Sequence, residues 1–139
     1  MSASDPVRIT PTEEVVLKTS SSVSGHACVF EDDGTTGYLY ALKPAENGDA
    51  IGPIADAVLV YQYTEGNPRQ HSAELQFHWT ESGSCCGLAL DGHLYALFDF
   101  DTQTGFSISG FPPASDADGW ARSKEMADAY KLLSIVQDD

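Results

Sequence analysis

The sequence predicts an α+β fold: an antiparallel, meander-like β-sheet, curled or barrel-like, with one C-terminal α-helix packed on it. Three observations carry that expectation. Short segments of period 2, separated by turn residues, fill the chain to about residue 113. The apolar period then switches to 3.6 near residue 115. No β-α-β alternation occurs that would call for a parallel sheet. The chain has 139 residues, 42% of them hydrophobic, enough for one domain with a sizeable core.

Residues 1–12 are polar and hold two prolines, so they read as a loose leader to a single domain over 13–139. "EEVVLK" (13–18) is the first strand. "GHACVFE" (25–31) and "GYLYALK" (37–43) flank "DDGTT", a turn with Gly34 at its tip. "PAENGDAIGP" (44–53) is a loop, and "ADAVLVYQY" (55–63) is a β-branched, aromatic strand followed by a second loop at 64–72. In "AELQFHWT" (73–80), Ala73, Leu75, Phe77 and Trp79 fall on one face, while Glu74, Gln76, His78 and Thr80 fall on the other. "CCGLAL" and "HLYALFDF" are joined by Asp91-Gly92, a two-residue hairpin signal. "GFSISGF" follows, and the prolines of "FPP" (111–113) end strand character. Ser115 with Asp118 then fits a capping box, and Trp120, Ala127, Tyr130 and Leu133 recur at helical spacing, with Arg122, Lys124 and Lys131 between them.

Two internal echoes stand out. "GYLYAL" begins at Gly37 and "GHLYAL" at Gly92, an offset of 55 residues; "FEDDGTTGY" begins at Phe30 and "FDFDTQTGF" at Phe98, an offset of 68. One duplication would leave one offset, so the echoes read as shared hairpin grammar: a glycine opening a strand after a polar turn. In both six-residue stretches apolar residues point to both sides, which implies strands covered on two faces. One helix cannot cover a wide sheet twice, so either the sheet curls or a second subunit covers the open face, and a homodimer is the expectation.

The stretch "ACVFEDDGTTGYLYAL", followed by "IADAVLVY", "LYALFDF", "TGF" and "FPP", resembles a family of small bacterial proteins, domain of unknown function 2251. The resemblance spans about residues 26–113 and is most specific at "FEDDGxTGYxYA". It implies a small bacterial protein standing alone and brings no catalytic residues with it.

Charge narrows the function. There are 21 acidic side chains against 7 basic ones, a net −14, which repels nucleic-acid phosphate and anionic membrane surfaces alike. The acidity has three readings: an ordinary solvated surface, adaptation to salt, or a face for a basic protein partner. No apolar stretch has the length of a signal peptide core or a membrane span, and three cysteines, two of them adjacent, do not make a disulfide framework; a cytoplasmic protein with reduced thiols is the expectation.

The histidines show no H-E-x-x-H, no C-x-x-C accompanies them, and the acidic turns lack the EF-hand spacing, so neither metal nor cofactor is expected. No G-x-S-x-G elbow or phosphate loop is present, and no catalytic residue is nominated. The nominated binding residues are the acidic turn Glu31, Asp32 and Asp33, its echo Asp99 and Asp101, and Asp56 at the entry to an apolar strand, where a carboxylate must be solvated, capped or paired. The leading expectation is therefore a non-enzymatic protein-binding module, immunity- or antitoxin-like, that meets a basic partner. The alternative is a small-molecule binder or enzyme with a pocket formed by Tyr38, Tyr40, Tyr95, Trp79 and convergent carboxylates.

Overall fold

A computed structural model describes residues 2–10, 13–44, 52–62, 72–112 and 120–122. Among them lie eleven strands in two sheets and no helix. Sheet B is a meander of β3 (Val15–Ser20), β4 (Ala27–Asp32), β5 (Thr36–Leu42) and β6 (Ile54–Gln62). The chain then crosses to sheet A, where β7 (Ala73–Trp79), β8 (Cys85–Leu90), β9 (His93–Asp99) and β10 (Thr104–Ser107) form a second meander. Residues 1–12, read from composition as a loose leader, contribute β1 (Ser2–Ala3) and β2 (Val7–Ile9), both antiparallel to β7.

The expected α+β class is corrected to all-β for the described residues. Trp120, assigned by periodicity to the start of a helix, instead enters β11 (Ala121–Arg122), which runs parallel to β10. The physical reason is tertiary. The Trp120 ring packs edge-on against Phe98 and Phe100 at centroid distances of 5.6 and 5.4 Å. The Ala121 N–H donates to the Gln103 carbonyl, and an extended backbone carries Arg122 to Asp56. The remainder of the expected helix lies outside the described residues.

The two sheets face each other across one core. Phe30, Cys28, Leu39, Ala41, Val58 and Val60 of sheet B meet Leu75, Phe77, Trp79, Cys86, Leu88, Ala96 and Phe98 of sheet A. Each large side chain buried there contributes about 1.5–3 kcal/mol. Both seams are stitched: Trp79 Nε1 donates to Thr19 Oγ1 at 3.0 Å, and on the other side the Leu59 N–H donates to the Phe111 carbonyl at 2.8 Å. The expected single curled sheet is thus split into a sandwich.

The outer faces differ. On sheet A the outer side is itself buried: Cys85, Ala89, Leu94 and Leu97 are at most 2% exposed within a single chain. The second covering inferred for the "GHLYAL" strand is therefore reached without a second subunit. On sheet B the outer side carries Val16, Lys18, Glu31, Tyr38, Tyr40 and Leu59, exposed or half-buried, around a buried Val29.

Asp91 and Gly92 both take positive φ (50° and 81°), the type I′ geometry expected of their hairpin. In "GYLYAL", Leu39 and Ala41 point inward and Tyr38 and Tyr40 outward. In "GHLYAL" a register shift after Leu88 leaves Ala96 inward but puts Leu94 opposite Ala89, where Leu94 and Leu97 both lie over Gly87. The same letters therefore face differently because of one bulge.

Candidate functional site

The nominated carboxylates fall in three places. β4 runs from its Ala27 end to its Asp32 end, and the turn holding Asp33 lies beyond the latter. The Asp99–Asp101 turn lies at the other end of the sandwich, because Phe100 stacks on His26, next to Ala27, at 4.3 Å and 10°. Six residues of strand, about 20 Å, separate the two turns, so their fields do not add at one edge.

At the first turn the side chains divide the work. Asp32 is 3% exposed; its Oδ1 accepts from the Gly34 N–H at 2.7 Å and its Oδ2 accepts a short bond from the Tyr61 hydroxyl. Asp33 is exposed and its Oδ1 accepts from the N–H groups of Thr35 and Thr36 at 3.0 and 2.9 Å. Those backbone donors hold the Asp33 carboxyl below its ordinary value. Asp32 and Asp33 therefore build the turn, and Asp33 in addition shows a charge to solvent. Glu31 lies on the outer face and accepts from the Tyr40 hydroxyl at 3.0 Å. Burial, with this hydrogen bond second, pushes the Tyr40 phenol up to about 12.

At the second turn Asp99 Oδ1 accepts from the N–H groups of Asp101 and Thr102 at 2.9 and 3.3 Å, while Asp101 is exposed. Asp56 is paired. Arg122 Nη1 reaches Asp56 Oδ2 at 2.7 Å and Nη2 reaches Oδ1 at 3.2 Å, with side-chain exposures of 17% and 8%. The same guanidinium donates to the Pro112 and Ala57 carbonyls. This clamp ties β6 to β11 and takes the Asp56 carboxylate out of reach of a partner.

What the arrangement brings together is an outer face rather than a pocket. Tyr38 and Tyr40 stack at 6.0 Å and 14° in the middle of sheet B. Val16 is 63% exposed beside them on β3, and Glu31 stands between on β4. Trp79 lies in the core and Tyr95 belongs to β9, so the four aromatics nominated for a pocket do not converge. Val16 was missed by sequence reasoning, although period 2 applied to "VVLK" already requires one of its two valines to point outward.

No catalytic constellation forms among the described residues. All three cysteines are buried and outside any disulfide, and burial, reinforced by the adjacent Cys28 thiol, drives the Cys86 thiol well above its ordinary value. Among the described residues no group of three His, Cys, Asp or Glu is placed to hold a metal ion, and no helix is long and apolar enough to cross a membrane.

The family model described as "Uncharacterized protein conserved in bacteria (DUF2251)" matches residues 9–133. An uncharacterized protein of Haemophilus influenzae is 31% identical over 125 residues, covering 85% of this chain and 76% of its own length. No solved structure matches the chain.

Proposed function

The chain belongs to this conserved bacterial family, and we propose that it is a non-enzymatic docking module whose outer sheet-B face receives a basic segment of a partner protein. The observation that carries the reading is the patch of exposed Val16 and half-buried, stacked Tyr38 and Tyr40, flanked by the exposed carboxylates Glu31 and Asp33. Protein interfaces pair an aromatic, apolar centre with a charged rim, and tyrosine is enriched among residues that dominate binding energy. Charge selects the occupant. The chain carries −14, so a second copy brings the same sign to the face, whereas a lysine- or arginine-rich surface is drawn to it. A guanidinium laid on the Tyr38 and Tyr40 rings with Glu31 beside it gains both a cation–π contact and an ion pair. Neutralisation of a basic partner, as immunity and antitoxin proteins achieve, follows from such a face. A cytoplasmic setting accords with three cysteines outside any disulfide.

The test is affinity capture from a bacterial lysate by the wild-type chain and by a Tyr38→Ala/Tyr40→Ala variant, followed by titration calorimetry with the identified partner. A basic partner that binds the wild type, loses at least tenfold in affinity to the variant, and weakens as salt rises supports the reading. A partner indifferent to both tyrosines overturns it, as does a stable homodimer in light scattering that these substitutions dissociate.

A further inference from the structure

We infer a latent modification site between the sheets: Cys28 of β4 and Cys86 of β8 form a dithiol that closes to a disulfide when the chain folds in the presence of a small-molecule disulfide such as oxidised glutathione. Both residues are 0% exposed and belong to the one core that the sheets share. Their thiols hydrogen-bond each other across that core. An independent contact fixes the same alignment. Thr19 is the cross-strand neighbour of Cys28, and Trp79 is the cross-strand neighbour of Cys86. The Trp79 indole N–H donates to the Thr19 hydroxyl at 3.0 Å, so the two cross-strand pairs meet over the same gap.

Strand alternation sets the third cysteine apart. Cys85 and Cys86 are neighbours in sequence, but successive residues of β8 point to opposite sides. Cys85 packs with Leu97 and Phe106 on the outer side of sheet A, and Ser84 Oγ lies 3.8 Å from its sulfur. Of the two, only Cys86 faces the core shared with sheet B. The strand neighbours of Cys28 are small, Thr19 on one side and Ala41 on the other. Small neighbours let the strands draw together as a thiol contact shortens to a bond of about 2.05 Å.

The exchange balances with that oxidant. One cysteine loses its proton and attacks a sulfur of the small disulfide, which forms a mixed disulfide and releases one small thiol. The second cysteine then loses its proton and displaces the other half, which leaves as a second thiol. The two cysteines give up two electrons and two protons, and the two thiols released carry them. In the folded chain neither sulfur meets solvent, and burial keeps the Cys86 thiol protonated. The exchange therefore belongs to folding or to an opening of the sandwich. Once closed, the bond ties β4 to β8 and constrains the unfolded chain.

The test unfolds the full chain and refolds it in buffers of reduced and oxidised glutathione at several ratios. Remaining thiols are then alkylated in denaturant, and intact mass and peptide mapping count and place them. In the oxidised buffers the result expected is a peptide linking Cys28 to Cys86, with Cys85 alkylated. Cys85→Ser should retain that link, while Cys28→Ala and Cys86→Ala should each abolish it. The linked form should unfold at a urea midpoint higher by about 1 M, and a dithiol reductant should return it to the midpoint of the unlinked form. Mapping of the wild type needs no variant to fold, so the assignment stands or falls on it. No Cys28–Cys86 link at any ratio, a link through Cys85, or a linked form no more resistant to urea than the reduced one overturns the inference.

Discussion

The hairpins β4–β5 and β9–β10 are written in nearly the same letters and end in opposite situations. In both, an aspartate side chain accepts two backbone N–H groups of the turn, Asp33 in one and Asp99 in the other. In both, a glycine after the turn lies against the ring of the phenylalanine that precedes it. A Cβ on Gly37 would stand 3.1 Å from Phe30 Cε1, and one on Gly105 would stand 2.9 Å from Phe98 Cε1. Beyond that shared device they part. The outer side of the first presents Tyr38 and Tyr40 to solvent, whereas Leu97 of the second packs with Cys85 and Phe106 on a covered face. The difference teaches that local grammar sets the turn and the glycine, while what lies above the sheet sets the meaning of the outward residues.

The contrast breaks most sharply at the outer positions. Leu97→Asp puts a charge on a covered face and should cost about 4 kcal/mol or more, while Val16→Asp on the open face should stay within about 0.5 kcal/mol. Urea unfolding of the two variants decides it; equal effects would show that the two faces are not differently covered.

Next in size is the clamp between the sheets. Arg122→Ala leaves the Asp56 carboxylate buried without its partner and should cost about 3 kcal/mol. Adding Asp56→Asn should recover part of that loss, a coupling that a double-mutant cycle reads directly. Additive losses would mean that the pair contributes nothing beyond its two residues.

The shared glycine device gives smaller, matched effects. Gly37→Ala and Gly105→Ala should each cost about 1–3 kcal/mol through crowding of a core ring. Phe98→Leu should relieve Gly105→Ala, giving a double variant less destabilised than the sum. A neutral Gly105→Ala would separate the two hairpins at the one point where they look alike.

The smallest effects are those of pH. The Asp33 carboxyl titrates below its ordinary value, so the stability it adds is present above about pH 4 and is lost as pH falls through its lowered value. Asp33→Asn should flatten that acid limb of a stability-versus-pH curve. The Tyr40 phenol is raised to about 12, so its contribution is complete below the free-tyrosine value near 10 and is lost as pH rises through about 12. Ultraviolet titration of the wild type against Tyr40→Phe should find the Tyr40 phenol ionising late, and Glu31→Gln should move it down only in part, since burial is the larger cause.

Much of this architecture was legible in the chain. Strand β8 was read as 85–90, and β5, β7 and β9 to within one residue at each end, because turn signals such as Asp91-Gly92 and period-2 runs such as "AELQFHW" are local properties. The inward set of β7 followed from the same alternation. The candidate site was less legible. Asp56 could be recognised as a carboxylate in need of a partner, but Arg122 lies 66 residues away, and nothing local announces a contact at that separation. Trp120 was drawn toward a helix by spacing, and the ring pocket between Phe98 and Phe100 overrode it.

The sequence by itself determined the turns, the alternation of most strands, the glycines that open a strand after a polar turn and the sign of the surface, since each depends on residues within a few positions or on composition. The tertiary structure alone decided that the strands split into two sheets and that the two acidic turns lie at opposite ends. It also decided that Asp56 is consumed by Arg122, and that one outer face is covered while the other is exposed in part. Those outcomes depend on which surfaces distant segments bury together, and burial is a property of the assembled pair of sheets rather than of either strand.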